Sequence, residues 1–444
     1  MKLELDDGSR IAVIGGGPAG AMFSYFLLTF ANRMDMDLKV DIYEPRDFAL
    51  IGPPGCNMCG GIVSESLIQM LATEGIRLPE TVIQRGIDSY VLHTDESSVR
   101  INTPLAEQRI ATVHRGGGPR DADRLDWGGL DGYLLDLAES IGANVIHDRV
   151  SAIERSDTNM IVSTRRNSEE YDLAVGATGA NSTAWKLYEK IAEGELHPEL
   201  TRAYITEVKL GRDKVDEMFG SSLHIFLLNI PNLDFAAIVP KGDYATVALL
   251  GGITEDVLDQ FFSSESVRNV FPGIENIGEG ACHCSPRMNT GAAPVAFADR
   301  FVMVGDSGVS RLNKDGIGAA YRTAKAAALT AAFRGISAAD FEKGFSPTYD
   351  TLANDNGYGK FMFGFVHKAR RMKPLMRGII GMTSREQKSD DLQKKMSMAL
   401  WDLFTGSAPY RDVFYRMINP SFALRLGYES AKSIIFKPSA KQSE

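Results

Sequence analysis

Basic charge, cysteine and long apolar runs are all scarce in this chain of 444 residues. Lys and Arg number 48 against 57 Asp and Glu, giving a net charge of −9. That balance supplies no broad attraction to phosphate backbones and excludes general nucleic-acid binding. No apolar run reaches the roughly twenty residues needed to span a bilayer. The opening MKLELDDGSR lacks the apolar core of a signal peptide and leads directly into the first expected strand. Four cysteines in so long a chain make no disulfide framework. Together these absences predict a cytoplasmic protein. The length allows two or three domains with substantial cores. His93, His114, His147, His224 and His367 are scattered. No Ser-His-Asp order, paired carboxylate or His-rich metal motif stands out.

What is present is concentrated near the start. Ile11-Ala12-Val13-Ile14 runs into Gly15-Gly16-Gly17-Pro18-Ala19-Gly20, followed by a helix-like segment and a second apolar run ending at Glu44. Strand, glycine turn, helix, strand and acid in this order are what a dinucleotide site demands. Gly15 permits the tight turn, Gly17 lets a pyrophosphate approach the backbone, and Gly20 lets the helix pack close to the sheet. The helix start offers unpaired N–H groups and a positive dipole end to phosphate. Glu44 is placed to accept both ribose hydroxyl hydrogens.

Further along, residues 130–150 read as an amphipathic helix, a Gly142 stop and a strand, and residues 171–182 as a buried strand entering a glycine turn. Residues 300–334 repeat that logic with the strand FVMVGD, a glycine-bearing loop and an alanine-rich helix. Between them, residues 200–284 alternate as antiparallel strands with one buried face would. Residues 346–444 are mainly helical in pattern.

These motifs, in this order, resemble those of the flavoprotein superfamily of p-hydroxybenzoate hydroxylase type, with similarity over about residues 9–335. The resemblance implies an α/β fold: a Rossmann-like FAD-binding domain from residues 1–75, 107–185 and 285–345. It further implies an inserted antiparallel-sheet substrate domain from 76–106 and 186–284, and a helical region over 346–444. GGGPAG with Glu44 stands where the family binds the ADP half of FAD. DLAVGATGANS at 172–182 is similar to its Ala-Asp-Gly-x-x-Ser turn, with Thr178 in place of the aspartate. FVMVGDSG at 301–308 is similar to its strand ending in Gly-Asp, which assigns Asp306 to a ribityl hydroxyl. Gly316 and Ile317, opening the alanine-rich helix, stand where the family meets the flavin ring. Arg311 or Lys314 of the preceding loop is a further candidate to touch flavin or substrate. The family arginine four residues before the helix aspartate is replaced by Trp127, and Arg124 is the candidate substitute.

Within the superfamily, GPPGCNMCGGIVSESL at 53–68 resembles the cysteine-glycine loop of geranylgeranyl reductases. That likeness implies that Cys59, Gly60 and Gly61 approach the flavin, with Cys59 as catalytic thiol. FAAIVPKGDYATVAL at 235–249 resembles their substrate strand, with Phe235 and Ala237 where Tyr and Trp usually stand. The implied activity is reduction of isoprenoid C=C bonds by hydride transfer from reduced FAD, with NAD(P)H or a reduced ferredoxin as donor. An FAD-dependent monooxygenase acting on a small apolar substrate, and a quinone-linked electron-transfer flavoprotein, are the rival expectations.

Cys56-x-x-Cys59 and Cys282-His283-Cys284 leave three readings open: a flavin-adjacent thiol, a four-ligand metal site, and packing residues. The preferred assignment is the thiol role for Cys59, packing for Cys282 and Cys284, and no metal. From Asn356 to Arg385 seven Lys/Arg residues occur with no Asp or Glu. The stretch reads either as helices on an anionic membrane surface, at the inner face of the membrane, or as a solvated face packed on the FAD domain. Pro374 is expected to divide it into two short helices.

Overall fold

The computed structural model describes residues 3–57, 60–122, 128–192, 198–276, 281–389 and 394–435. Among them, the strands Arg10–Ile14, Lys39–Tyr43, Asn144–Ile146, Leu173–Gly176 and Phe301–Met303 pair in parallel, with Phe297–Ala298 antiparallel at one edge. Ile11, Ala12 and Val13 are wholly buried, because a parallel sheet is covered on both faces. The helices Pro18–Arg33 and Gly316–Phe333 pack together, with Phe26 meeting Tyr321 edge-on at 5.4 Å between ring centroids. The antiparallel strands Ala152–Arg155, Met160–Ser163 and Ser168–Tyr171 add Ile153, Met160 and Val162 to the same core.

The second large sheet has the order Cys282–Cys284, Leu200–Lys209, Tyr244–Gly251, Leu233–Lys241, Ser222–Leu227, Ser89–Thr94, Ser98–Asn102. It departs from the sequence expectation in two ways. Ser222–Leu227 pairs in parallel with Ser89–Thr94, so the sheet is not purely antiparallel. Both faces are also covered. Phe226, Ala236, Ile238 and Val247 pack under residues of the helices Arg212–Phe219, Glu255–Ser263 and Glu265–Val270. Ile205, Ile225, Ala237 and Leu250 face the C-terminal helices through Met396, Leu400 and Trp401. Hence Tyr244–Gly251 is buried along its whole length and reads as a continuous apolar run.

On the first of these faces His93 and His224 stack at 5.2 Å, with Nε2 and Nδ1 sharing a hydrogen bond of 2.9 Å. Burial pushes His93 down to about 4. Burial, with the neighbouring His93 and Arg100, pushes His224 down to about 3. Both rings therefore stay neutral in the fold, whereas unfolded histidine titrates near 6.5. Unfolding takes up protons below that value, so the stability is undiminished above about pH 6.5 and falls as the pH drops toward 4 and then 3. Guanidinium midpoints measured across this window should fall accordingly. His224→Asn, which removes one titrating ring, is expected to flatten the profile.

The basic stretch forms the helices Ser346–Ala369 and Lys373–Lys388, longer than expected, with Pro374 in the first turn of the second. Arg370 is buried and donates to the carbonyls of Ile230 and Leu233 and to His367 Nδ1. Lys373 and Arg377 pair with Glu96, Lys360 with Glu199 and Arg385 with Glu429. These cations hold the helices to the region of the second sheet and to the helix Pro420–Ile435, not to the residues expected to form the FAD domain. Among the described residues no helix is long and apolar enough to cross a membrane.

Candidate functional site

A long cleft runs from the first glycine turn, past the end of the 301–308 motif, to the cleft-facing wall of the second sheet. At its first end Gly15 adopts φ +112°, and a Cβ there would stand 2.5 Å from the Ala177 carbonyl oxygen. Only glycine fits that approach. Gly15, Gly17 and Ala19 line the cleft, while Gly20 lies beneath the Gly15 carbonyl and is not part of the lining. Gly17 is the N-cap of the Pro18–Arg33 helix and has no side chain to occupy the helix start. Glu44 is buried; its Oε2 accepts from Gly16 N at 2.9 Å and its Oε1 from Arg46 N at 3.0 Å. The acid therefore shapes the turn as well as facing the cleft.

Two cations at this end escaped the sequence reading. Arg46 Nη1 donates to Asn57 Oδ1 at 2.8 Å, and Asn57 Nδ2 donates to Asp131 Oδ2 at 2.6 Å. Arg115 completes the chain by pairing with the same Asp131, with Nη2 to Oδ2 at 2.8 Å. Arg46, Asn57 and Arg115 all line the cleft. Among the described residues Arg115 is the cation that pairs with the helix aspartate; Arg124 and Trp127 lie outside the described residues. The sequence signal for Arg46 was its place two residues beyond the strand-end acid, facing the same turn.

In the middle of the cleft, Gly179 N donates to Ser307 Oγ at 3.0 Å, joining the second motif to the third. Thr178 accepts from Tyr188 OH at 3.3 Å. Asp306 keeps some exposure toward the cleft. Burial raises its carboxyl pKa, partly offset by a Ser310 hydrogen bond and the Arg115 charge. Beyond it Asp315, at φ +50°, precedes the Gly316–Phe333 helix without capping it. Its carboxylate instead receives Ser64, Arg311 and Arg322. The first N–H groups of the helix, at Gly316 and Ile317, therefore remain without a side-chain cap beside the cleft, where negative charge is favoured.

Gly60 and Gly61 also line the cleft, while Cys59 lies outside the described residues. Gly61 adopts φ +68°, and a Cβ on it would stand 2.8 Å from Lys241 Nζ. Lys241 is buried and pairs with Glu207 Oε1 at 3.1 Å, whose Oε2 accepts from Thr246 Oγ1 at 2.7 Å. Burial, and secondarily the Lys241 charge, holds His114 well below the usual histidine range.

Phe235 and Ala237 stand on the sheet wall, with Ile205, Leu223, Ile225, Val239 and Ala248 around them. Ala237 lies opposite Ala248 in register, which leaves that part of the wall shallow. Phe235 stacks on Phe363 at 5.8 Å and meets Phe404 at 5.4 Å. Arg311 and Lys314 border the cleft, but their cationic heads are engaged elsewhere. Arg311 reaches the carbonyls of Gly406 and Ala408, and Lys314 those of Asp402 and Ala408. They bind the C-terminal segment, so a direct role toward a ligand is not what their geometry favours. Cys282 and Cys284 lie on an edge strand beside Leu200–Lys209, with Cys284 against the core. Among the described residues no group of three or more His, Cys, Asp or Glu side chains is arranged to hold a metal.

No family model and no curated protein sequence matches this chain. Solved structures do. A geranylgeranyl bacteriochlorophyll reductase-like protein from Thermoplasma acidophilum aligns over 96% of this chain and 100% of its own, at TM-score 0.64 and 13% identity. A flavoprotein/dehydrogenase from Cytophaga hutchinsonii aligns over 96% and 99%, at TM-score 0.60 and 14% identity. A tetrameric 2-methyl-3-hydroxypyridine-5-carboxylic acid oxygenase aligns over 88% and 95%, at TM-score 0.57 and 14% identity. This chain has their fold. The mixed α/β architecture of the p-hydroxybenzoate hydroxylase type is therefore the fold of this protein, as its three motifs implied. At such identities the likeness carries the architecture and leaves the chemistry to the residues of the site.

Proposed function

We propose that this protein binds FAD along the cleft and acts as an oxidoreductase on an apolar substrate, most specifically by reducing isoprenoid C=C bonds. The observation that carries the reading is the junction, in one cleft, of a dinucleotide-shaped half and an apolar sheet wall. The residues that would hold it line the cleft: the Gly15 turn and Glu44 for the ADP half, Arg46 and Arg115 for its phosphates, and Asp306 for the ribityl chain. Bound FAD supplies hydride chemistry at its ring. The Gly316–Ile317 helix start would stabilise negative charge on that ring, and Gly60-Gly61, with Cys59 as the proposed thiol, would border it. An unactivated alkene presents no oxyanion for hydrogen-bond donors to stabilise. The wall residues Ile225, Phe235, Ala237 and Ala248 then serve by aligning an apolar chain and excluding water. NAD(P)H or a reduced ferredoxin would deliver the electrons.

The direct test is anaerobic. Photoreduced holoenzyme mixed with a geranylgeranyl lipid should reoxidise and add two hydrogens per reduced double bond, read by mass spectrometry. Reoxidation that requires oxygen and inserts it into the lipid would select the monooxygenase reading, which the fold shared with the hydroxypyridine-carboxylic acid oxygenase keeps in view. Protein that takes up no FAD would overturn both. Ala237→Trp should fill the shallow part of the wall. It is expected to raise the KM for the lipid about tenfold, with FAD absorbance retained, because the ring takes up space along the wall that this chain, unlike the geranylgeranyl reductases with tryptophan there, leaves open to its substrate.

A further inference from the structure

We propose that the Tyr90 hydroxyl is a hydrogen-bond donor for a single uncharged oxygen atom on an otherwise apolar substrate. This deepens the reading above and rests on it. Tyr90 lies on the Ser89–Thr94 strand, is 1% exposed and lines the cleft. Its ring stacks on Trp401 at 5.5 Å with 26° between the planes, and meets Phe404 edge-on at 6.4 Å. Held on two sides, the ring cannot swing its hydroxyl out to bulk water. Yet that hydroxyl has no hydrogen-bond partner among the described residues. A buried polar group left unpaired is costly, and folded proteins leave few of them. Asn313 Oδ1 is likewise unpartnered beside the cleft, but on the loop before Gly316, where the proposed flavin would engage it. Tyr90 instead belongs to the apolar cluster of the sheet wall with Leu223, Ile225 and Phe235.

The surroundings define the ligand atom. Burial, reinforced by the Asp402 charge, raises the phenol well above its ordinary pKa, so it stays protonated and donates. The matching atom is an acceptor: a carbonyl, ether or hydroxyl oxygen. A phosphate is the wrong match here, since one neutral donor near Asp402 cannot compensate an anion taken from water. The substrate is therefore a long apolar molecule with an uncharged oxygen at the position of Tyr90.

The test uses two probes of similar shape, farnesyl acetone and its oxygen-free counterpart farnesene, titrated into the FAD holoenzyme. Binding is read from the perturbed flavin spectrum. Tyr90→Phe is expected to lower the ratio of ketone to hydrocarbon affinity about tenfold, the effect of one neutral hydrogen bond. Farnesene affinity should be unchanged. The thermal midpoint should equal or exceed that of the parent, because the phenyl ring leaves no polar atom unpaired. An unchanged ratio, or a substantial fall in the midpoint, overturns the inference while leaving the oxidoreductase reading intact. A parent holoenzyme that binds neither probe overturns the apolar-substrate reading and this inference with it.

Discussion

Glu44→Ala is expected to weaken FAD binding about ten- to a hundredfold, the effect of losing a charge-assisted hydrogen bond of about 1.5–3 kcal/mol. The carboxylate stands at two jobs at once. Oε2 holds Gly16 N at 2.9 Å and Oε1 holds Arg46 N at 3.0 Å, so the acid fixes the glycine turn from inside. Its remaining lone pairs face the place where the ribose of the ADP half would lie. Removing it leaves two backbone donors unpaired in a buried setting and takes away the ribose acceptor. Glu44→Gln should not rescue the loss, because an amide NH₂ would turn a donor toward one of the two N–H groups. The deciding measurement is titration of apoprotein with FAD and, separately, with FMN. FMN lacks the adenosine that Glu44 is proposed to serve, so its affinity should change far less than that of FAD. A folded Glu44→Ala variant that binds FAD as tightly as the parent would remove the cofactor from this end of the cleft.

Glu44 and the glycine turn were legible because their geometry is local. Strand, turn, helix and strand lie within about one supersecondary unit, and each residue type has a single physical reason to stand where it does. Asp306, Gly316 and Ile317 line the same cleft for a similar reason, since strand, loop and helix follow one another directly in the chain. What stayed hidden depends on chain segments meeting across long separations. Arg115 finds Asp131 16 residues away. Arg370 finds the Ile230 carbonyl 140 residues away. No local pattern in the basic stretch distinguishes a cation aimed at a lipid headgroup from one aimed at a buried carbonyl; only the fold decides. The double-sided burial of the second sheet was hidden similarly. Strands that look like one-faced antiparallel ribbons became a covered sheet once the C-terminal helices closed over Phe235 and Ala237. Tyr90 carries no motif at all, and the role proposed for it comes from the absence of a partner for its hydroxyl among the described residues.

The closure by those helices rests on Arg311, and Arg311→Met should cost about 3–5 kcal/mol of stability, the range for breaking a buried ion pair. Arg311 Nη1 pairs with Asp315 Oδ2 at 2.8 Å and donates to Gly406 O at 3.1 Å. Nη2 donates to Ala408 O at 2.9 Å and lies 3.7 Å from Asp355. One guanidinium thus joins the loop before the Gly316 helix to the segment that carries Phe404 and Thr405 over the cleft. Methionine retains the apolar stem and removes all of these contacts, leaving Asp315 with Ser64 and Arg322. Lysine should rescue only part of the loss, because an ammonium cannot reproduce the planar fork that reaches both carbonyls and the carboxylate. Lys314 offers no substitute. Its Nζ already reaches the carbonyls of Asp402 and Ala408 and lies 3.8 Å from the Tyr410 ring centroid. Burial also drives its pKa well down, aided by Arg311 itself, so the two cations are not additive anchors. Guanidinium denaturation gives the stability change directly. Limited proteolysis should show earlier cutting near residues 405–410 in Arg311→Met than in the parent, since the roof segment loses its tether before the sheets open. An unfolding midpoint equal to that of the parent, with unaltered proteolysis, would mean that the C-terminal helices hold the cleft shut by apolar packing alone.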